Sequence, residues 1–417
     1  MWLLNKMLGA LVRDGQLIVT DYDGKEYRYG DAAADPLRIR LTDKGAAFHI
    51  AKDPRVGAGE AYMHGRLVVE PPHDIRDMVL LVMGNAGRSG ASLTSPSPAK
   101  RLFDSILARI DQINLRAKAS DNVVHHYDLT REFYEQFLDE DRQYTMAYFR
   151  DPANSLERAQ IDKQALIAAK LRLQPGMRLL DIGCGWGGLG LYLNRHFGIE
   201  VLGVSLAPDQ VTFANERAAA AGVADKVKFQ LIDYRDVAGQ FDRITSVGMI
   251  EHVGAPHFGE YFAKTRELLS DDGVMLTHTI GRTGPPGTTD KWTRKYIFPG
   301  GYIPAMSELV SALERNRWIT SDIEVLRLHY AHTLAEWYRR ATLHKNEITA
   351  LYDGKLLRMW QFYLAGAEQA FRNGSMVNFH IQTTKRIEAL PITRDYIGAE
   401  AGRLAALDVA PKWHLER

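Results

Sequence analysis

The stretch RLLDIGCGWGGLG, residues 178–190, places a short apolar run directly before a loop rich in glycine. Leu179, Leu180 and Ile182 form the apolar run, and residues 189–193 begin a helical pattern of leucines and a tyrosine. A strand, a glycine loop and a helix in this order are typical of the first βα unit of a nucleotide-binding domain. Glycine suits this loop because it tolerates positive φ and lets a ligand approach the backbone.

Two details of this stretch narrow the class of ligand. Asp181 lies at the end of the predicted strand, and Gly183, Gly185 and Gly187 follow it in the order D-x-G-x-G-x-G. The dinucleotide fingerprint has the spacing G-x-G-x-x-G instead. An acidic residue before the glycines suits a ligand with a cationic amino-acid end better than it suits a pyrophosphate. The stretch therefore predicts a site for S-adenosylmethionine.

Polar residues also follow the next two predicted strands. The segment VLGVSLAPDQ places Ser205, Leu206 and Gln210 after the second strand, where a nicotinamide enzyme usually has an acidic residue for the ribose hydroxyls. The segment LIDYRD then supplies an acid, a ring and a base suited to adenine: Asp233, Tyr234 and Arg235. Each segment alone would indicate a surface turn, but their order at successive strand ends favours a cofactor site.

An acid and an imidazole end the fourth and fifth predicted strands. Glu251 follows the fourth strand in SVGMIEHVG, and His278 lies within or just after the fifth in LTHTIG. A lone buried histidine is usually a core residue with satisfied hydrogen bonds. Because this one neighbours an acid beside a predicted cofactor, the pattern favours a catalytic or anion-binding pair. Such a pair could hold a proton-accepting species at a reacting carbon.

Length and composition favour two domains and a globular protein. The chain has 417 residues, 46% hydrophobic and 25% charged, and a net charge of +1 without a Lys/Arg-rich run. No nucleic-acid partner is therefore expected. The single cysteine, Cys184, excludes a disulfide within the chain and fits a reducing compartment. With no cluster of ligating residues, no metal site is predicted.

The chain pattern predicts a small α+β domain over 1–117 and a catalytic domain over 118–417. The first contains a hairpin that turns at Asp23-Gly24, a linker over 84–100 and an amphipathic helix over 101–118. The helix at 1–12 is either packed on the domain or lies at a membrane interface. The second alternates strands and helices, with an insertion after the fifth strand that could form a lid. Strands are predicted at 178–182, 200–205, 227–232, 241–247 and 273–279, with two more in ITSDIEVLRL and MVNFHIQTTK and two helices between them.

Taken together, these motifs resemble the cyclopropane fatty-acyl-phospholipid synthase family. The resembling segments are HHYDL (125–129), YTMAYF (144–149), LLDIGCGWGG (179–188), DYRD (233–236), SVGMIEHVG (246–254), HTIG (278–281), YIFPGGYIP (296–304), HYAHTLAEWY (329–338) and YLAGAEQAFR (363–372). The resemblance implies an α/β, Rossmann-like class I methyltransferase fold with a mostly parallel seven-stranded sheet, a helical lid insertion and a small N-terminal α+β domain.

The same resemblance implies a chemistry and a set of site residues. S-adenosylmethionine would donate a methyl group to a cis double bond of a phospholipid acyl chain, and a bound bicarbonate ion would take the proton whose loss closes the ring. The ligands of that ion would be Glu251, His278 and Tyr330, with backbone amides near Met146 and Ile280. The cofactor would contact Tyr144 and Thr145 besides the residues named above. The protein would be cytoplasmic, docked peripherally on the inner face of the membrane, and a homodimer stays open.

Three alternatives remain at this point. The family commonly has cysteine where this chain has Met146 in YTMAYF, and a second cysteine is replaced near Ala367. Relatives of the family make methyl- or methylene-branched chains without closing a ring, so the product is open between the two. A methyltransferase for a small polar substrate or an RNA base would need a polar pocket or a basic groove, which the sequence does not offer. A catalytically silent lipid-binding protein would bind the cofactor without turnover.

Overall fold

The computed structural model describes residues 1–89 and 129–407. The helices of these residues are α1 (Trp2–Leu11), α2 (Ala46–Lys52), α3 (Pro54–Met63), α4 (Ile75–Ser89), α5 (Arg131–Glu135), α6 (Leu156–Leu171), α7 (Gly188–Phe197), α8 (Pro208–Ala220), α9 (Ile250–Val253), α10 (Phe258–Leu268), α11 (Lys291–Tyr296), α12 (Met306–Arg315), α13 (His329–Leu343), α14 (Lys345–Leu351), α15 (Gly354–Arg372) and α16 (Asp395–Leu407). The strands are β1 (Gln16–Thr20), β2 (Glu26–Gly30), β3 (Pro36–Leu41), β4 (Leu67–Val69), β5 (Arg178–Ile182), β6 (Glu200–Ser205), β7 (Val227–Leu231), β8 (Phe241–Val247), β9 (Leu269–Arg282), β10 (Ile319–Leu326) and β11 (Met376–Thr384).

The contacts of the described residues group them into two compact units. The first unit takes in residues 1–89, Thr289–Pro299 and Leu334–Ser375, and the second takes in residues 129–288, Gly300–Thr333 and 376–407. The predicted boundary at residue 117, the end of the predicted linker and the helix predicted over 101–118 lie outside the described residues. The division into a 1–117 docking domain and a 118–417 catalytic domain stays a prediction.

The second unit is built on a seven-stranded sheet in the order β10-β11-β9-β8-β5-β6-β7. Strands β5 to β9 pair in parallel, and β10 and β11 extend the sheet in antiparallel fashion. Residues Leu179 and Leu180 of β5 are fully buried, as expected of a strand covered on both faces. The predicted fold is confirmed: a Rossmann-like, mostly parallel sheet with helices between its strands.

The first unit combines a four-stranded sheet with helices from three parts of the chain. The sheet has the order β2-β1-β3-β4, and the turn between β1 and β2 contains Gly24 at a φ of +84°, as the Asp-Gly pair predicts. The guanidinium of Arg76 on α4 makes two hydrogen bonds, of 2.6 and 2.7 Å, to the fully buried carboxylate of Glu368 on α15. Charge pairing therefore ties the N-terminal residues of this unit to a helix almost 300 residues later.

Three sequence expectations need correction or refinement. The predicted linker over 84–100 begins too early, because α4 continues through Ser89. Three helices, α13, α14 and α15, lie between β10 and β11, where two were predicted. Strand β9 covers 269–282 and thus exceeds the predicted 273–279 at both ends. The helix predicted over 1–12 is confirmed as α1, and it buries Leu4, Leu8 and Leu11 on one face.

Within residues 1–89 and 129–407, no helix combines the length and the apolar character that crossing a membrane requires.

Candidate active site

The glycine loop between β5 and α7 has the backbone geometry that its sequence predicts. Gly183, Gly185 and Gly187 all have positive φ, and the amides of Gly183 and Cys184 donate to the carbonyl of Val204 at 2.9 and 3.2 Å. A side chain at Gly183 would start 3.4 Å from Cβ of Met249, so the loop lies against the segment that follows β8. These contacts keep the backbone bare at the carboxyl ends of the parallel strands, where such folds bind ligands.

Asp181 carries a buried carboxyl at the end of β5. It is 2% exposed, and its Oδ2 has no hydrogen-bond partner among the described residues. Burial raises the pKa of Asp181 from 3.8 to about 7, because the charged form loses its hydration. A cationic group placed at this carboxyl would restore the lost stabilisation, which is what the amino-acid end of S-adenosylmethionine can supply.

The residues after β6 and β7 lie at the same edge of the sheet but differ in how accessible they are. The hydroxyl of Ser205 lies 3.5 Å from Oε1 of Gln210, and Leu206 is partly exposed beside them. The Asp233 carboxylate already pairs with Arg235 through hydrogen bonds of 2.9 and 2.5 Å. The ring of Tyr234 is 7% exposed and packs edge-on against Tyr261.

The predicted acid after β8, Glu251, contacts the strand that carries the predicted histidine, His278. Oε1 of Glu251 accepts a hydrogen bond from the amide of Ile280 at 2.6 Å, and the amide of Gly248 donates to the carbonyl of His278 at 2.9 Å. Oε2 of Glu251 is buried and accepts no hydrogen bond from the described residues. Burial raises the pKa of Glu251 from 4.5 to about 7. The Glu251 carboxyl thus contacts the backbone of Ile280, two residues beyond His278 on β9.

The segment containing Tyr144, Thr145 and Met146 lies next to this group. A side chain at Gly248 would start 3.1 Å from Cγ2 of Thr145, and Met146 is fully buried. Two hydrogen bonds attach the same segment to the first turn of α13: Ala147 N to Thr333 Oγ1 at 3.0 Å, and Phe149 N to His329 Nδ1 at 3.1 Å. Tyr330, which is 6% exposed, belongs to that turn.

The imidazole of His278 has partners that the sequence analysis did not identify. Its Nδ1 lies 2.9 Å from Nε2 of His380, and its Nε2 lies 3.2 Å from Nδ2 of Asn378. Both partners are on β11, where His380 is directly opposite His278 in the antiparallel register. Burial, followed by the charges of Lys163 and Lys170, lowers the pKa of His278 to about 3, so its ring is neutral.

Buried polar residues of α6 were also missed by the sequence analysis. The Lys163 ammonium donates to Thr145 Oγ1 at 2.7 Å, and Gln160 donates to the carbonyls of Gln143 and Thr145. Gln164 donates to Asp141, whose carboxylate also pairs with the buried Arg217. The signal was present in LERAQIDKQALIAAKL, because charged and amide side chains occupy several faces of this helix instead of one.

The arrangement combines three chemical features in one unit of the structure. It has a bare glycine loop, a buried carboxyl suited to a cation at Asp181, and a second buried carboxyl at Glu251 that contacts the strand carrying the neutral imidazole of His278. A carboxyl with a pKa near neutrality can accept or donate a proton under ordinary conditions. The site can therefore bind a cationic cofactor and hold a proton-transferring group nearby.

Comparison with protein families gives a match over more than half of the chain. The model of the family described as mycolic acid cyclopropane synthetase matches residues 115–381.

Curated relatives match at greater length. The chain is 39% identical over 372 residues to a protein of Pseudomonas putida named probable fatty acid methyltransferase, a match that covers 83% of this chain and 90% of that one. It is 34% identical over 361 residues to the cyclopropane-fatty-acyl-phospholipid synthase of Escherichia coli K12, covering 86% of this chain and 90% of that one.

Among solved structures, the chain is similar to the mycolic acid cyclopropane synthase CmaA1 complexed with SAH and CTAB. The TM-score is 0.61 at 31% sequence identity, and the match covers 63% of this chain and 97% of that one.

Proposed function

The chain belongs to the mycolic acid cyclopropane synthetase family of S-adenosylmethionine-dependent lipid methyltransferases, and from this membership we propose that it alkylates the cis double bond of unsaturated phospholipid acyl chains. Ring closure to a cyclopropane is the favoured product, because the Escherichia coli relative named for that reaction covers 86% of the chain. In this proposal the cofactor's sulfonium would supply the methyl group and leave as a thioether, and loss of one proton from that methyl would close the ring.

One observation carries the proposal: the Glu251 carboxyl is buried after β8 and accepts a hydrogen bond from the amide of Ile280, two residues beyond His278 on β9. A methylated alkene is a carbocation, so the reaction needs a group that removes a proton without water reaching the cation. Glu251 supplies polar oxygen at a position from which water is excluded. His278 adds a neutral ring, which introduces no positive charge beside a cationic intermediate.

The residues present fit the cofactor. In the proposal, the glycine loop and Asp181 hold the amino-acid end, Ser205 and Gln210 face the ribose, and Asp233, Tyr234 and Arg235 border the adenine. When bound, S-adenosylmethionine supplies an electrophilic methyl group on a sulfonium. The unpaired and buried Oδ2 of Asp181 supports this fit, because a cation restores the stabilisation that burial removed.

The proposed base is a bicarbonate ion held by Glu251, His278 and Tyr330 and by the amides of Met146 and Ile280. Since the Ile280 amide donates to Glu251 in this structure, binding of the ion would replace that hydrogen bond. Oε1 of Glu251 could then accept a hydrogen bond from the ion. Such an exchange would leave both the Ile280 amide and Oε1 of Glu251 with a hydrogen-bond partner.

The decisive experiment is an incubation with S-adenosylmethionine and liposomes of cis-monounsaturated phospholipid, followed by gas chromatography–mass spectrometry of the acyl chains. A mass gain of one methylene without a remaining double bond is the expected result. Glu260→Gln serves as the matched control for Glu251→Gln, because Glu260 has an exposed side chain in the neighbouring helix. Acyl chains that stay unmodified with the wild-type protein would overturn the proposal.

A branching reaction is the second candidate. The relative of highest identity among those described above is named a fatty acid methyltransferase, without reference to a ring. Met146 is fully buried where the family commonly has cysteine, and its greater length changes the space beside the base. Retention of the alkene in the methylated product would establish branching, and Met146→Cys is then the first substitution to examine for ring closure.

Access to the substrate would come from docking of the first unit on the inner face of the membrane. Trp2 on α1 is 76% exposed and Phe48 on α2 is 65% exposed. Each has an exposed lysine four residues later, Lys6 and Lys52, on the same face of its helix. Aromatic rings flanked by cations suit an anionic phospholipid surface.

A flotation assay with anionic liposomes tests this docking. Trp2→Ser combined with Phe48→Ser should release the protein from the liposomes, while Ile392→Ser, which removes a still more exposed apolar side chain from the second unit, should not. Equal binding of all variants would exclude these two residues as the docking surface. Sedimentation of the wild type would show whether a homodimer contributes a second docking site.

A further inference from the structure

Three buried polar side chains on β9 and β11 contact one another. His278, Asn378 and His380 are each no more than 1% exposed, and their side chains form a continuous chain of contacts. His380 lies opposite His278, and Asn378 lies opposite Ile280. The three side chains therefore share one face of the sheet.

These three buried polar side chains would lower the stability of the folded protein if they had only a structural role. Nδ1 of His380 and Oδ1 of Asn378 are both buried without a hydrogen-bond partner among the described residues. A buried unpaired donor or acceptor destabilises a protein, and apolar residues in the same strand would avoid that cost. Burial and the positive charges of Lys170 and Lys163 lower the pKa of His380 well below its usual range, so this ring is neutral as well.

The orientation of the Asn378 amide indicates the tautomer of His278. The amide nitrogen of Asn378 is a donor only, so Nε2 of His278 accepts and carries no proton. The proton of the neutral ring must then be on Nδ1, which donates to Nε2 of His380. Consequently His380 carries its own proton on Nδ1, the atom without a partner.

We propose that Asn378 and His380 are positioning residues that hold His278 as a neutral imidazole with its proton on Nδ1. The catalytic consequence rests on the proposed function, in which His278 borders a cationic reaction centre. Because Asn378 and His380 engage both ring nitrogens, the ring adds no positive charge to that region, and contact with the proposed ion would require exchange of the Asn378 hydrogen bond. The reversed tautomer would carry the proton on Nε2 and would need Oδ1 of Asn378 as its acceptor.

The first test reads the tautomer directly and needs no turnover. Histidine labelled with 15N distinguishes a protonated from an unprotonated ring nitrogen by NMR, and the signals of His278 are assigned by their loss in His278→Gln. The wild-type protein should show a protonated Nδ1 and an unprotonated Nε2 on His278. A proton on Nε2 would overturn the proposal, whatever the enzyme does to lipids.

The second test uses two substitutions of His380 on β11. His380→Gln keeps an acceptor for Nδ1 of His278 and should retain the tautomer and most of kcat. His380→Leu removes the acceptor and should lower kcat roughly tenfold to hundredfold, the size of loss seen when the partner that orients a functional histidine is removed. The KM for S-adenosylmethionine should stay unchanged, because neither variant alters the glycine loop.

Gln382→Leu is the matched control. Gln382 is two residues further along β11 and donates to the carbonyl of Lys170 and the hydroxyl of Tyr396, away from His278. Its loss should lower thermal stability without lowering kcat. If Gln382→Leu reduces kcat as much as His380→Leu does, the effect is general packing and the positioning role is refuted. Absence of turnover in the wild type would count against the proposed function, while the NMR result would still decide the tautomer.

Discussion

At the scale of single residues, burial decides which protonation state of Glu251 the folded protein prefers. The pKa of Glu251 rises from 4.5 to about 7 on folding, so ionisation opposes the folded state. The favourable contribution of protonated Glu251 to the free energy of unfolding is fully present below pH 4.5 and is lost as the pH rises through 7. The difference between the two limits is about 3 kcal/mol, from 1.36 kcal/mol per pKa unit.

Glu251→Gln should therefore lose activity and gain stability at high pH. The amide keeps an acceptor for Ile280 but cannot ionise, so the melting temperature of this variant should exceed that of the wild type at pH 8 and not at pH 5. The value of kcat should fall by roughly a hundredfold or more, because the variant loses a proposed ligand of the ion that takes the proton. Thermal melts of the wild type, of Glu251→Gln and of the control Glu260→Gln from pH 5 to 8 measure the difference. A melting temperature that changes with pH in the same way for the wild type and for Glu251→Gln would contradict the assignment.

Asp181 gives a prediction about ligand binding. Its pKa of about 7 means that a proton must leave before the carboxyl can pair with a cation. The affinity for S-adenosylhomocysteine, which carries the same cationic amino-acid end, should increase about fivefold to tenfold from pH 6 to pH 7.5. Calorimetry over this range should show weaker and pH-independent binding to Asp181→Asn. A wild-type affinity that is constant with pH would show that Asp181 is already ionised.

At the scale of elements, the start of α7 requires a glycine, because a side chain would not fit at this position. A Cβ on Gly188 would overlap the carboxylate of Asp141, which is held in place by Arg217 and Gln164. The carboxylate thus approaches the positive end of the helix, where a negative charge is stabilised.

Gly188→Ala should destabilise the protein by about 1–3 kcal/mol, because the extra methyl group has no room in a closely packed interior. It should also weaken cofactor binding, since the glycine loop leads directly into this helix. Gly259→Ala in α10 is the control, as nothing lies within 4 Å of its added Cβ, and it should be neutral or slightly stabilising. Urea denaturation of both variants measures the difference, and equal effects would show that Asp141 simply moves aside.

Much of this architecture could be predicted from local sequence. The seven strands of the second unit have β-branched and apolar runs ended by glycine or polar turns, and the residues at their carboxyl ends follow from the order of the strands. Asn378 and His380 could not be assigned a role in this way. Their contacts with His278 cross about 100 residues and depend on the antiparallel register of β11, which no local pattern determines. The polar residues of α6 were missed because helices with polar residues on several faces are usually exposed, whereas Lys163 is 3% exposed.

At the scale of the whole molecule, the Arg76–Glu368 pair joins distant parts of the chain within the first unit. Glu368 is fully buried, and its other partner, Arg372, is 36% exposed. Arg76→Met should destabilise this unit by roughly 3 kcal/mol, because it leaves a buried carboxylate with one partner. Arg38→Met removes an exposed ion pair with Glu26 and should cost at most about 1 kcal/mol. Urea unfolding followed by the fluorescence of Trp292 and Trp360, both in this unit, would compare them, and similar midpoints would contradict the prediction.

The discontinuous first unit has a consequence for biosynthesis. Its first 89 described residues leave the ribosome long before the segment Leu334–Ser375 that completes their packing. At roughly 5–20 residues per second, the interval is on the order of 15 seconds to a minute. During that time the nascent chain must carry incompletely covered apolar surface, while the whole central sheet is still being translated. The need of the newly made chain for chaperones should therefore depend more on residues 1–89, which lack Leu334–Ser375 during this interval, than on the central sheet.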